Sequence, residues 1–165
     1  TACGSLKKHI GRGDFVILDQ FIDFTRLRKL SFYDEFEPGN AKHIAMSQPF
    51  SKELRDLMIT AAKELKIKYH DKGTVVTIEG NRFSTKAESK MFALLGADVI
   101  NMSTAPECIL ANEAGIPYAV VAMSTDYDCL FDDVLPFTWD EILETFHKNS
   151  GKVVDLIVKT IPKIK

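Results

Sequence analysis

The sequence predicts an α/β fold, a mainly parallel or mixed sheet flanked by helices, on three observations. Short apolar runs of strand length recur along the chain, and segments of helical spacing separate them. Several of those runs are apolar at consecutive positions, the pattern of strands covered by helices on both faces rather than wetted on one. The 165 residues, 45% hydrophobic and 27% charged, suffice for one domain with a core of its own. No internal repeat, low-complexity segment or second domain is visible.

Taken in order, Phe15-Val16-Ile17-Leu18-Asp19 follows a Gly13-Asp14 turn and has strand length. Residues 23–48 contain Pro38, Gly39 and Asn40 and show no clear period. A loop that long inside a compact domain is often functional. Residues 51–66 carry Leu54, Leu57, Met58, Ala61 and Leu65 at helical spacing. Residues 73–78 alternate into a strand through Val75, Val76 and Ile78. Three helix starts follow, at Thr85-x-x-Glu88, Thr104-x-x-Glu107 and Thr138-x-x-Glu141. Each fits the reciprocal capping box, in which hydroxyl and carboxylate satisfy orphan N–H groups. The first helix carries Ala87, Met91, Leu94 and Leu95 and stops at Gly96. The second has Pro106 in its first turn and Gly115 past its end. The third carries Ile142, Leu143 and Phe146, then continues or restarts through Val153, Val154, Ile157 and Val158. Between the helices lie two nearly continuous apolar runs, residues 98–102 and 118–123.

Composition excludes several functions. A formal net charge of -2, without any Lys/Arg cluster, lacks the basic surface that nucleic-acid binding requires. No apolar run approaches bilayer-spanning length, so no membrane partner is expected. Cys3, Cys108 and Cys129 are far apart and odd in number, arguing against a disulfide framework or a zinc site and for a reducing compartment. The expected location is the cytoplasm, with the nucleus as an alternative. His9, His70 and His147 have no partner at metal-ligand spacing, and no metal is expected. The chain begins at Thr1-Ala2-Cys3-Gly4 without an initiator Met, as if cut from a longer polypeptide.

In open α/β sheets, ligands bind beyond the carboxyl ends of strands. That rule selects residues 1–5, 20–23, 79–84, 102–107 and 124–128. Met102-Ser103-Thr104 opens a helix, where hydroxyls and N–H groups can hold an anion, although such residues more often only cap. Asp126 and Asp128 lie two apart. A carboxylate pair can do acid/base work or accept hydrogen bonds from an exocyclic amine. By spacing alone an ordinary solvated turn explains them better.

Taken together, residues 74–84, from Thr74-Val75-Val76 through Arg82-Phe83-Ser84, then Ala87-Glu88-Ser89, then residues 96–107 resemble the trimeric purine nucleoside phosphorylase family. Asp19-Gln20-Phe21-Ile22-Asp23 and Ser31-Phe32-Tyr33-Asp34 belong to the same pattern, and the likeness runs from residue 1 to about residue 161. Within that family, enzymes acting on inosine and guanosine carry Glu after the Phe of the Gly-x-x-Phe segment and Asn after the strand that ends near Ser124-Thr125. Here those positions are Ser84 and Asp126, the pattern of the subclass that cleaves 5′-methylthioadenosine. A 6-oxopurine offers a ring N–H that Glu can bind. A 6-aminopurine offers an amine instead, which a carboxylate accepts.

The resemblance implies phosphorolysis of 5′-methylthioadenosine to adenine and 5-methylthioribose 1-phosphate, a step of purine and methionine salvage. It implies inorganic phosphate as co-substrate, no cofactor and a homotrimer. It assigns Thr1, Ala2 and Ser103 to phosphate, Met102 to the ribose, Phe83 to stacking on the base, and Ser84, Thr125, Asp126 and Asp128 to reading it. Asp126 is the expected catalytic group, working in protonated form or by sharing a proton with N7, and Asp128 is expected beside the amine. His43 is expected to reach the neighbouring subunit's 5′ pocket. Two residues depart from the pattern: Asn81 stands where Pro is usual, and Trp139 falls near a position that is small and apolar in relatives. The family's glycine-rich phosphate loop and an Arg-His pair belong to a more N-terminal segment, so residues 1–165 read as one incomplete domain, expected to be unstable or inactive alone. Three rivals stand beside this reading: a phosphorylase of other or broader base specificity, a non-catalytic fragment of one, and a nucleoside hydrolase.

Overall fold

The computed structural model describes residues 1–133 and 138–165. Its elements are β1 (Ala2–Ser5), β2 (Phe15–Ile17), β3 (Gln20–Phe24), α1 (Lys52–Glu64), β4 (Tyr69–His70), β5 (Thr74–Ile78), α2 (Lys86–Leu94), β6 (Val99–Asn101), α3 (Thr104–Glu113), β7 (Val121–Tyr127) and α4 (Trp139–Thr160). The strands form one sheet in the order β3-β5-β6-β1-β7-β2-β4. Neighbours pair parallel except at β6–β1 and β7–β2, so the sheet is mixed with parallel pairing in the majority, as expected.

Helices cover both faces. Val16, Leu18, Val75, Val99 and Ala122 pack on one side with Cys108 of α3 and with Phe50. Phe15, Val121 and Met123 face the other way, against Ala61 and Ala62 of α1 and Leu156 of α4. Val76, Ile78 and Ile100 continue that second face against Phe92 of α2. Consecutive valines of β5 therefore feed opposite cores, which is why a strand between two helix layers reads as an unbroken apolar run.

The structure corrects the sequence reading in five places. Residues 1–5 are not a segment beyond a strand: Ala2–Ser5 is the strand between β6 and β7. Gln20–Phe24, also expected beyond a strand, forms edge strand β3, whose unpaired side tolerates polar residues. β7 runs on through Ser124, Thr125, Asp126 and Tyr127, because backbone pairing with β1 extends the ladder whatever the side chains are. Thr104 is not a cap: Ser103 occupies the N-cap without a side-chain capping bond, and Glu107 accepts from the Tyr118 hydroxyl (2.5 Å) instead. On α2 the expected core residues Leu94 and Leu95 face outward, and Phe92 packs inside.

The boxes at Thr85–Glu88 and Thr138–Glu141 form as expected. Past residue 138 the chain is one continuous helix, α4, with Gly151 inside it. Residues 25–50 hold no helix or strand. Two carboxylates pin that loop: Glu79 accepts from the Arg26 and Leu27 amides, and Glu113 from the Phe32 amide and the Ser31 hydroxyl.

Candidate active site

The β1–β7 register contains an irregularity. Cys3 opposes Ser124 and Gly4 opposes Asp126, leaving Thr125 as an extra residue. A bulge of this kind re-aims the side chains beside it. Here it brings Asp126 over Gly4, where a Cβ on Gly4 would lie 3.3 Å from the Asp126 carboxylate and 3.2 Å from the Asp128 Cβ. Glycine at position 4 leaves the room both acidic side chains occupy.

Above this strand pair lies a cavity of about 400 Å³, within the range of small-molecule sites. Nine of the ten residues expected at the site line it. At one end are Phe83, Ser84, Thr125, Asp126 and Asp128, and at the other Thr1, Ala2, Met102 and Ser103. The exception is His43, which stands exposed in the long loop with its ring edge-on to Phe36.

The two carboxyls differ in surroundings. Asp128 is buried, and both its oxygens accept the Ser84 hydroxyl, at 2.9 and 2.8 Å. The Ser89 hydroxyl bonds the same carboxylate. Among the described residues, Asp126 accepts the Thr125 hydroxyl (2.8 Å). Burial pushes the Asp126 carboxyl up to about 6, and the neighbouring Asp128 charge adds to this; the Thr125 bond and the Arg12 guanidinium pull the other way. A carboxyl poised there exchanges a proton near neutrality, as acid/base chemistry requires.

At the opposite end, Asn101 organises the start of α3. It accepts the Thr77 hydroxyl (2.9 Å) and donates to the hydroxyls of Thr104 (2.6 Å) and Thr1 (3.2 Å). Thr77 in turn accepts the Ala105 amide (3.0 Å). These bonds seat the positive end of α3 at the cavity with the Ser103 and Thr1 hydroxyls 3.4 Å apart. Small hydroxyls at a helix N-terminus suit a bound anion. Asn101 was not among the expected site residues. A polar side chain inside the apolar run 98–102 was the visible signal.

The first turns of α4 close the cavity. Trp139, Ile142, Leu143 and Phe146 line it at spacings of three, four and seven residues, one helix face. Trp139 thus borders the cavity, which the sequence left open. Arg12 ties this helix to the floor, donating to the Thr125 carbonyl of β7 (3.2 Å) and to the Thr145 hydroxyl (3.0 Å). The cavity therefore has a hydroxyl-rich end at the start of α3, a two-carboxyl end and an apolar wall.

Known proteins place this arrangement. The model of the phosphorylase superfamily matches residues 1–162. The chain is 52% identical over 167 residues to the S-methyl-5′-thioadenosine phosphorylase of Xenopus tropicalis, covering 99% of this chain and 59% of that one. It is 47% identical to the enzyme of the same name from Danio rerio, again across 59% of its length. Among solved structures, a mutant adenosine/methylthioadenosine phosphorylase from Schistosoma mansoni in complex with adenine superposes with a TM-score of 0.90 at 35% identity, covering 98% of this chain and 64% of that one. The chain spans about three-fifths of the length of the curated relatives it matches.

Proposed function

The chain belongs to the phosphorylase superfamily, and on that premise we propose that it carries the base-reading part of a 5′-methylthioadenosine phosphorylase. One observation carries the reading: Ser84, Asp126 and Asp128, selected in the sequence for a 6-aminopurine, meet at one end of a single cavity whose other end is the start of α3. In the reaction a phosphate oxygen bonds to the anomeric carbon as the bond from that carbon to adenine N9 breaks. The electron pair passes into the purine ring. Protonated Asp126 donates to N7 as the ring gains charge, and an ionised Asp128 accepts from the exocyclic amine. Stabilising charge that develops only in the transition state is where such a site gains rate.

Phosphate enters at Thr1, Ala2 and Ser103, and the ribose lies over Met102. The reaction transfers a glycosyl group without oxidation or reduction and draws on no cofactor. The apolar wall of α4 faces the methylthio group. The assembly we propose is a homotrimer, supported by the exposed apolar side chains of the long loop, Phe32 and Phe36, and by Leu94, 88% exposed. His43 lies in that loop, placed to reach a neighbouring copy.

The test is adenine release from methylthioadenosine, with and without phosphate, by this chain and by this chain joined to the part its relatives carry beyond the matched segment. Phosphate-dependent release by the longer polypeptide, with little hypoxanthine from inosine, is expected. Release that ignores phosphate, or none from either polypeptide, overturns the reading. Light scattering on the longer polypeptide is expected to give the mass of three copies.

A further inference from the structure

Ser89 lies on α2, behind the residues that line the cavity, and is wholly buried. Its hydroxyl nevertheless reaches the Asp128 carboxylate, the Ser84 hydroxyl (3.0 Å) and the Thr85 carbonyl (3.0 Å). The main chain of Asp128 is anchored too, its amide donating to the Ser5 carbonyl (3.0 Å). A carboxylate fixed at its backbone and fed by two buried hydroxyls is held in its charged form, since both donors favour the anion. Asp126, across Gly4, has one such hydroxyl. When two carboxyls share a site and one is held as the anion, the other takes the proton.

We propose that Ser89 is a positioning residue of the base half: with Ser84 it clamps Asp128 as an immobile anion and thereby leaves Asp126 as the carboxyl that exchanges the proton. The inference rests on the adenine-reading assignment of this cavity, but its test reads the carboxyls themselves. The other titratable groups around the pair are Arg12, whose charge acts on Asp126, Cys3 buried beneath it, and Cys129, whose thiol lies 3.2 Å from the Ser89 hydroxyl. None of these replaces a hydroxyl on Asp128. The raised Asp126 carboxyl, near 6, agrees with the same division of labour.

The experiment is a carboxyl carbon-13 NMR titration of the complete polypeptide as wild type, Ser89→Ala and Ser89→Thr. In wild type a gap between two carboxyl titrations is expected, with Asp126 the upper one. Removing the Ser89 hydroxyl narrows that gap by about one to two pH units, the worth of one hydrogen bond to a charged group. Ser89→Thr keeps a hydroxyl and keeps the gap. In turnover the acid limb of kcat for Ser89→Ala moves to higher pH, because the carboxylate that accepts the amine is then protonated more readily, whereas mere loosening of the fold lowers kcat equally at every pH. A gap unchanged in Ser89→Ala, or closed equally in Ser89→Thr, overturns the proposal. If the gap closes as expected and no adenine is released, the fault lies with the assigned reaction and not with Ser89.

Discussion

Asp126 and Asp128 have the same side chain and lie on the same stretch of chain, so their different behaviour comes from what surrounds them. Asp128 receives hydroxyls from Ser84 and Ser89, and Asp126 has burial and a neighbouring negative charge. With Asp126→Asn, kcat/KM on methylthioadenosine is expected to fall about a hundredfold, the usual scale for losing a general acid. Stability is expected to move the other way. The folded carboxyl titrates near 6 against an ordinary 3.8, so its contribution is fully present below the ordinary value and lost as pH rises through 6. Asp126→Asn should therefore be more stable than wild type by about 2 kcal/mol at pH 8, with the gap closing below about pH 4, as followed by urea unfolding. An unchanged rate on methylthioadenosine would remove Asp126 from the chemistry. The types Ser84, Asp126 and Asp128 were legible in the sequence, but Ser89's hold on Asp128 was not. That bond joins positions 39 residues apart, and no local period records it.

Helix starts show how far local rules reach. The boxes at Thr85 and Thr138 form because each needs only one turn of backbone and two side chains. The same spacing at Thr104 fails, because the Thr104 hydroxyl accepts the Asn101 amide inside a buried network and Glu107 turns to Tyr118. Thr85→Ala should accordingly cost about 1 kcal/mol, an ordinary cap. Thr104→Val should cost about 2 kcal/mol, because it takes an acceptor from a buried amide. Equal costs in chemical unfolding would refute the distinction. Gly151 gives the opposite case. It sits inside α4 with nothing within 4 Å of a built Cβ, so Gly151→Ala should stabilise the fold by about 1 kcal/mol. A lower melting temperature would show a contact at this position instead.

At the scale of the whole molecule, one buried carboxylate ties the sheet edge together. Asp14, just before β2, accepts from Lys68 (2.8 Å), from His70 of β4 (3.0 Å) and from the Gly11 amide (2.9 Å). Burial alone would raise its pKa, but these three bonds outweigh burial and hold it below the ordinary 3.8. A depressed carboxyl contributes stability above its unfolded value, lost as pH falls through the folded one. Asp14→Asn should thus cost about 2 kcal/mol at pH 7 and progressively less in acid. A loss constant from pH 7 to pH 3 would rule out the ionic contribution. With Asp126 acting in the opposite sense and losing its contribution as pH rises from the ordinary 3.8 through 6, these two groups together favour the fold most around pH 4.

The sequence by itself determined the α/β class, most helices, and nine of the residues that the structure gathers around one cavity. Each of these is written in patterns a few residues long or in side-chain types that chemistry reads directly. Only the tertiary structure decided that residues 1–5 and 124–127 pair as inner strands, that Thr125 bulges to set Asp126 over Gly4, and that Asn101 and the face of α4 complete the cavity with Ser89 behind Asp128. The reason is physical. A ladder between strands some 120 residues apart is stabilised by backbone hydrogen bonds that any side chain permits, so the sequence leaves no mark of its register.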